Sequence, residues 1–246
     1  MRSIRVAVTY VLACAVVQAC GNDKKSATSA RDSLAPSAPA TVMKTSTASG
    51  NRAVASRRIV LFLGTSLTAG LGLEPDSAYP QQIQEKITAR ALPFQVVNAG
   101  VSGETSAGLL RRLDWVLQNP AAMIVVETGA NDGLRGQMVQ ATKATIGQIL
   151  TRIAKERPEA RVVLVQMEAP TNLGTEYTRA FHAMFPALAK EHGATLMPFL
   201  LDGVAGRAAL TQGDGVHPNL AGEKIVAANV WKTIGPLLGA GLSDGR

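Results

Sequence analysis

The chain has 246 residues, 46% apolar and 17% charged, a globular composition long enough for one or two domains. Its net charge of +7 is unevenly placed: residues 1–57 hold eight Lys/Arg against two Asp/Glu, and residues 58–246 hold seventeen against sixteen. A nearly neutral body, with ten aromatic residues in the whole chain, excludes nucleic acid as the main partner, because phosphate contacts need clustered cations and single strands need stacking platforms.

In chain order, Arg2 and Arg5 precede an apolar stretch over residues 6–19, which has the length of a secretory h-region and is short for a bilayer span. No apolar run of spanning length follows, so a polytopic membrane protein is excluded. Both cysteines lie in this leader. The run Val17-Gln18-Ala19-Cys20-Gly21 resembles a bacterial lipoprotein processing site, which makes residues 1–19 a lipoprotein-type signal peptide and Cys20 the lipidation candidate. Plain cleavage after Ala13-Cys14-Ala15 is the alternative; both routes export the protein, and the favoured one anchors it in the periplasm to an envelope membrane. Residues 20–57, rich in Ser, Ala, Thr and Pro, have no periodic apolar face and read as a disordered tether. Residues 58–240 form the expected folded domain. They lack cysteine, so no disulfide or thiolate metal site is available there.

Within that domain short apolar runs alternate with amphipathic segments, the pattern of repeated strand–helix units. Strands are expected over residues 59–63, 94–98, 123–128, 161–167 and 195–199. Each is near-continuous in aliphatic residues, as strands covered on both faces should be. Helices are expected over 79–91, 106–118, 137–156, 175–191 and 220–234, with a kink or break at Pro186. The fold class is α/β: a three-layer α/β/α sandwich around a five-stranded parallel sheet, in flavodoxin-like order 2-1-3-4-5. Ligands of such sheets bind beyond the carboxyl ends of the strands, so the segments after strands 1 and 3 should hold the chemistry.

After strand 1 comes Gly64-Thr65-Ser66-Leu67-Thr68-Ala69-Gly70, a serine at a strand-to-helix turn that is either an exposed nucleophile or a helix cap. The glycines fit neither a dinucleotide fingerprint nor a phosphate loop. Strand 2 leads to Asn98-Ala99-Gly100-Val101-Ser102-Gly103-Glu104-Thr105-Ser106, and strand 3 to Glu127-Thr128-Gly129-Ala130-Asn131-Asp132-Gly133. A glycine N–H or an asparagine amide at such a place is a loop device or an oxyanion donor. Near the C-terminus, Gly213-Asp214-Gly215-Val216-His217-Pro218 puts a carboxylate three residues before an imidazole, within reach to fix its tautomer. His182 and His192 lie in or beside a predicted helix with no such neighbour in sequence, which leaves His217 as the base. Glu104, Glu127, Asp132 and Glu168, also near strand ends, read as helix-start or loop carboxylates rather than catalytic groups. Trp115 and the methionines read as core or groove lining, with core favoured.

Four of these segments, in order, resemble the blocks of the SGNH hydrolases, the GDSL esterase/lipase superfamily: Gly64-Thr65-Ser66-Leu67, Ser102-Gly103-Glu104-Thr105-Ser106, Gly129-Ala130-Asn131-Asp132 and Asp214-Gly215-Val216-His217-Pro218. The run Asn131-Asp132-Gly133-Leu134-Arg135-Gly136 is similar to that of the bacterial arylesterase, lysophospholipase and acyl-CoA thioesterase branch. One departure is plain: Thr65 stands where the family usually has Asp, which leaves the nucleophile's turn without that charge. The resemblance implies a serine esterase with Ser66, Asp214 and His217 as its triad. It assigns the oxyanion to the N–H groups of Ser66 and Gly103 and the side chain of Asn131, and it sets Gly133, Leu134, Arg135 and Gly136 in a loop bordering the acyl groove. The implied substrate is a small-molecule or lipid ester, with no cofactor and no metal; the oligomeric state is open. Hydrolysis would need a neutral base and rise through about pH 6 to 7. Two other functions fit the same residues: an O-deacetylase of envelope polysaccharide, which the scarcity of aromatics disfavours, and a catalytically silent envelope lipoprotein.

Overall fold

The computed structural model describes residues 57–240. The leader, with Cys20, and residues 21–56 of the tether lie outside the described residues. Five strands form one parallel sheet: β1 (Arg58–Gly64), β2 (Phe94–Gly100), β3 (Met123–Val126), β4 (Arg161–Val165) and β5 (Thr195–Met197), in the order β2-β1-β3-β4-β5. The anticipated order is therefore the observed one. β1 lies between β2 and β3, with Phe62 opposite both Asn98 and Val125, so the loops after these three strands open at the same end of the sheet.

Helices α1 (Ser66–Ala69), α2 (Tyr79–Ala89), α3 (Ser106–Val116), α4 (Ala130–Leu134), α5 (Val139–Glu156), α6 (Thr175–Glu191) and α7 (Leu220–Gly239) connect and cover the strands. On one face α5 packs against α3 and α6; on the other α2 packs against α7. Between the layers Phe62, Leu63, Ile124, Val125, Val163 and Leu164 are fully buried. The expectation of strands covered on both faces holds for the three inner strands; the edge strands β2 and β5 are only partly buried, because each has one open side.

Three expectations are corrected. The helix over Thr175–Glu191 runs through Pro186 without a break. Phe181, Met184, Phe185, Leu188 and Ala189 anchor it on both sides of the proline, which faces solvent, where water can satisfy the freed carbonyl. Trp115 is 69% exposed rather than core, because α3 buries the stripe of Leu109, Leu113 and Val116 and position 115 falls beside it. Among the methionines, Met123, Met167, Met184 and Met197 are core, but Met138 is 71% exposed at the start of α5.

Candidate active site

β1 ends at Gly64, and its last residue must be small: a Cβ there would overlap the Thr68 side chain and lie 2.8 Å from Glu127 Oε2. The chain then turns at Thr65, which is extended, and Ser66 begins the short α1. The hydroxyl of Ser66 lies 2.8 Å from His217 Nε2, although 151 residues separate them. On the other side of the ring, Nδ1 lies 2.6 Å from Asp214 Oδ2. Asp214 Oδ1 accepts the N–H groups of Val216 at 2.9 Å and His217 at 3.0 Å. The hydrogen bond from His217, followed by those two N–H bonds, lowers the Asp214 carboxyl to about 2. An ionised carboxylate only accepts, so Nδ1 carries the hydrogen; with the ring neutral, Nε2 presents its lone pair and the Ser66 hydroxyl donates to it. The three side chains are aligned for proton transfer from serine to imidazole.

The loop that carries His217 is tied down from several directions. Thr211 forms a bridge with Pro218, Gln212 N–H donates to the His217 carbonyl at 2.7 Å, and Asn219 caps α7 through the N–H groups of Ala221 and Gly222. The Gln212 side chain donates to the carbonyls of Leu71 at 2.8 Å and Pro218 at 2.9 Å, clasping the His217 loop to the segment that follows Ser66. Gln212 carries no motif signal, since its partners are 141 and 6 residues away.

Gly103 adopts φ +76 with open space around the position of a Cβ, so backbone conformation rather than crowding requires glycine there. Among the described residues, neither the N–H of Gly103 nor that of Ser66 is spent on another protein group. Asn131 donates one amide hydrogen to the Glu104 carbonyl at 2.9 Å, which orients the side chain and leaves its second N–H to donate. Asp132, fully buried, accepts the N–H of Ser106 at 2.8 Å and its hydroxyl at 2.6 Å, locking the start of α3 to α4. Glu104 pairs with Arg112 at 2.6 Å, and Arg135 donates to the Gly103 carbonyl at 2.9 Å. The loops after β2 and β3 are thus cross-linked by side chains of the two blocks. Of the segment expected to border an acyl groove, Gly133 is buried, while Leu134, Arg135 and Gly136 are exposed.

Two readings of single residues change in three dimensions. His182 does have a carboxylate neighbour: its Nδ1 lies 2.7 Å from Glu168 Oε1, brought there by the packing of α6 against β4. Gln166 Nε2 lies 2.8 Å from both Glu168 Oε1 and His182 Nδ1, and among the described residues no serine meets the ring. Glu127 is the second. It is 0% exposed at the end of β3, and its carboxylate accepts from Thr65 and Thr68 on either side of Ser66. Burial pushes its carboxyl up, against the opposing pull of the hydrogen bonds from both threonines. An acidic residue ending the apolar run of β3 was the available signal for it.

The sequence profile of the GDSL-like Lipase/Acylhydrolase family matches residues 62–225, which contain every one of these groups. The chain is 38% identical over 187 residues to the "Esterase TesA" of Pseudomonas aeruginosa, covering 75% of this chain and 91% of that protein. It is 37% identical over 180 residues to the "Thioesterase 1/protease 1/lysophospholipase L1" of Escherichia coli, covering 73% of this chain and 84% of that one. The crystal structure of a TesA superposes with a TM-score of 0.70 at 35% identity, over 73% of this chain and 99% of that one. A psychrotrophic esterase EstA from Pseudoalteromonas sp., inhibited by monoethylphosphonate, also superposes with a TM-score of 0.70, at 31% identity and over 74% and 99% of the two chains. With motif order, sheet order and profile in agreement across most of its described length, the chain belongs to the GDSL-like lipase/acylhydrolase family.

Proposed function

We propose that this chain, a carboxylic ester hydrolase by family, acts by acyl transfer to Ser66, with His217 as base and Asp214 as the carboxylate that holds it. The observation that carries the reading is the unbroken line from the Ser66 hydroxyl through His217 to an ionised Asp214, at 2.8 and 2.6 Å. His217 takes the serine proton as Oγ bonds to the carbonyl carbon, and the carbonyl oxygen becomes an oxyanion facing the N–H groups of Ser66 and Gly103 and the Asn131 amide. Collapse breaks the ester bond, and the leaving alcohol or thiol takes the proton from His217. Water then repeats the attack on the acyl-serine, delivering its proton to His217, and the carboxylic acid departs as Ser66 recovers its hydrogen.

The substrates are acyl and aryl esters, with lysophospholipids and thioesters in the same class. Relatives named esterase, thioesterase/lysophospholipase and arylesterase support this range. So do the exposed apolar side chains Leu71, Val101, Leu134, Met138 and Val216, which sit on the segments that follow β1, β2 and β3 or precede α7 and suit an acyl chain better than a sugar. The segment over residues 133–136, which is the end of α4 and the turn after it rather than a loop throughout, borders the acyl chain in this reading. The sequence of the leader supports export and anchoring through Cys20, outside the described residues. Loss of palmitate incorporation in Cys20→Ala tests the anchor.

A p-nitrophenyl ester series from acetate to palmitate, run on wild type and Ser66→Ala, tests the activity. Hydrolysis of several chain lengths that disappears in Ser66→Ala is expected. Cleavage of acetate alone would indicate a deacetylase, and no serine-dependent hydrolysis would leave a binding protein.

A further inference from the structure

We propose that Glu127 is the positioning residue of the nucleophile: its buried carboxylate is the shared acceptor that fixes the Thr65–Thr68 turn and thereby aims Ser66. The inference rests on reading Ser66 as the nucleophile. Glu127 Oε2 accepts the peptide N–H of Thr65 at 2.7 Å, the Thr65 hydroxyl at 3.0 Å and the Thr68 hydroxyl at 2.9 Å, while Oε1 also accepts the Thr65 hydroxyl at 3.0 Å. Each of these donors belongs to a residue within two positions of Ser66. Thr68 passes the chain of bonds on to the Tyr79 hydroxyl at 2.8 Å, so both ends of the turn are held.

The side chain is not needed to join the strands. β1 and β3 are already paired over Val60–Leu63, and the Glu127 N–H extends that ladder to the Leu63 carbonyl at 2.8 Å. What the carboxylate adds falls on the turn alone. It also explains how Thr65 serves where the resemblance leads one to expect an acidic residue: the acceptor oxygens sit across the turn on Glu127, and Thr65 supplies two donors to them. The task is acceptance, not charge at a distance. A glutamine can keep one oxygen at the Oε2 position for the Thr65 N–H and both hydroxyls, and donate from its amide to the Thr65 hydroxyl. Leucine cannot, and would leave the Thr65 N–H and the Thr68 hydroxyl without that partner in a buried place.

The test uses the whole protein as wild type, Glu127→Leu, Glu127→Gln and Thr65→Val, each checked by thermal unfolding to be folded at the assay temperature. Two rates are measured: kcat and KM on p-nitrophenyl butyrate, and covalent labelling of Ser66 by diethyl p-nitrophenyl phosphate. Glu127→Leu should lower kcat and the labelling rate together by about thirtyfold or more, with KM within about twofold, the size of loss that a small misplacement of a reacting group produces. Glu127→Gln should return both rates to within about threefold of wild type, and Thr65→Val, which keeps its N–H but loses the hydroxyl, should fall between them. A folded Glu127→Leu with wild-type kcat and labelling overturns the proposal, as does Glu127→Gln losing as much as Glu127→Leu. If Glu127→Leu does not fold, wild-type labelling in Thr65→Val overturns it instead. Failure of the esterase reading itself is seen separately, as hydrolysis or labelling that persists in Ser66→Ala.

Discussion

Replacing Asp214 by asparagine should damage turnover more than replacing it by alanine, although asparagine is the closer mimic. The carboxylate uses both oxygens: Oδ1 takes the N–H groups of Val216 and His217, and Oδ2 takes His217 Nδ1–H. Asparagine has one oxygen and one NH₂. If its oxygen keeps the two backbone donors, its NH₂ faces Nδ1, and the ring must present a lone pair there and carry its hydrogen on Nε2. That hydrogen then points at the Ser66 hydroxyl 2.8 Å away, and the ring can no longer accept the serine proton. The rotated amide would satisfy Nδ1–H but set an NH₂ against two N–H donors, giving up two hydrogen bonds to keep one, so the first arrangement wins. The predicted loss is about 10⁴-fold in kcat, the scale of an inverted tautomer in a serine triad.

Alanine imposes no tautomer. The Asp214 side chain is 46% exposed, so water can accept the Nδ1 hydrogen once the carboxylate is gone, and what is lost is orientation and stabilisation of the imidazolium. A loss on the order of 10³-fold is expected there. Steady-state kcat on p-nitrophenyl butyrate at neutral pH, for wild type and both variants, decides the matter. Asp214→Asn within tenfold of wild type, or Asp214→Ala slower than Asp214→Asn, would refute the assignment of the hydrogen to Nδ1. Because His217 and the two backbone N–H groups hold the Asp214 carboxyl at about 2, protonation of that carboxylate does not shape the acid limb of the wild-type pH profile, which should persist in Asp214→Ala.

Three further outcomes are predicted. Asn131→Ala should lower kcat about a hundredfold, roughly 3 kcal/mol of barrier, with little change in KM, because the donor acts on charge that develops only in the transition state; unchanged turnover would remove that role. Gly103→Ala should fold and yet lower kcat, since a Cβ meets open space but φ +76 costs an L-residue about 1–2 kcal/mol; a variant with wild-type kcat would show that the loop tolerates the strain in place. Glu223 is buried in the first turn of α7 with Oε2 unpartnered among the described residues, and burial, against a hydrogen bond from the Tyr79 backbone, raises its carboxyl to about 7. The unfolded chain releases this proton near 4.5 and the folded one near 7, so stability present below pH 4.5 is lost as pH rises through 7, by roughly 3 kcal/mol. Glu223→Gln should flatten the fall in Tm between those two pH values, and a fall as steep as in the wild type would contradict this.

The sequence by itself determined the order of strands and helices and the residues of the four blocks. Aliphatic runs that must be covered on both faces specify inner strands of a parallel sheet, and right-handed crossovers leave few ways to arrange five of them. Asp214 and His217 were also legible, since a carboxylate and an imidazole three residues apart meet through local backbone geometry. Tertiary structure alone decided everything that depends on distant segments meeting. Ser66 and His217 are neighbours only because the loop after β1 and the loop before α7 open at the same end of the sheet. Glu127 reaches Thr65 across 62 residues, Asn131 reaches the Glu104 carbonyl across 27, and Glu168 finds His182 across 14. The outward face of Trp115 and the unbroken helix at Pro186 belong with these. Periodicity reports how apolar a segment is, but which of its sides finds a partner is set by what the rest of the chain packs against it.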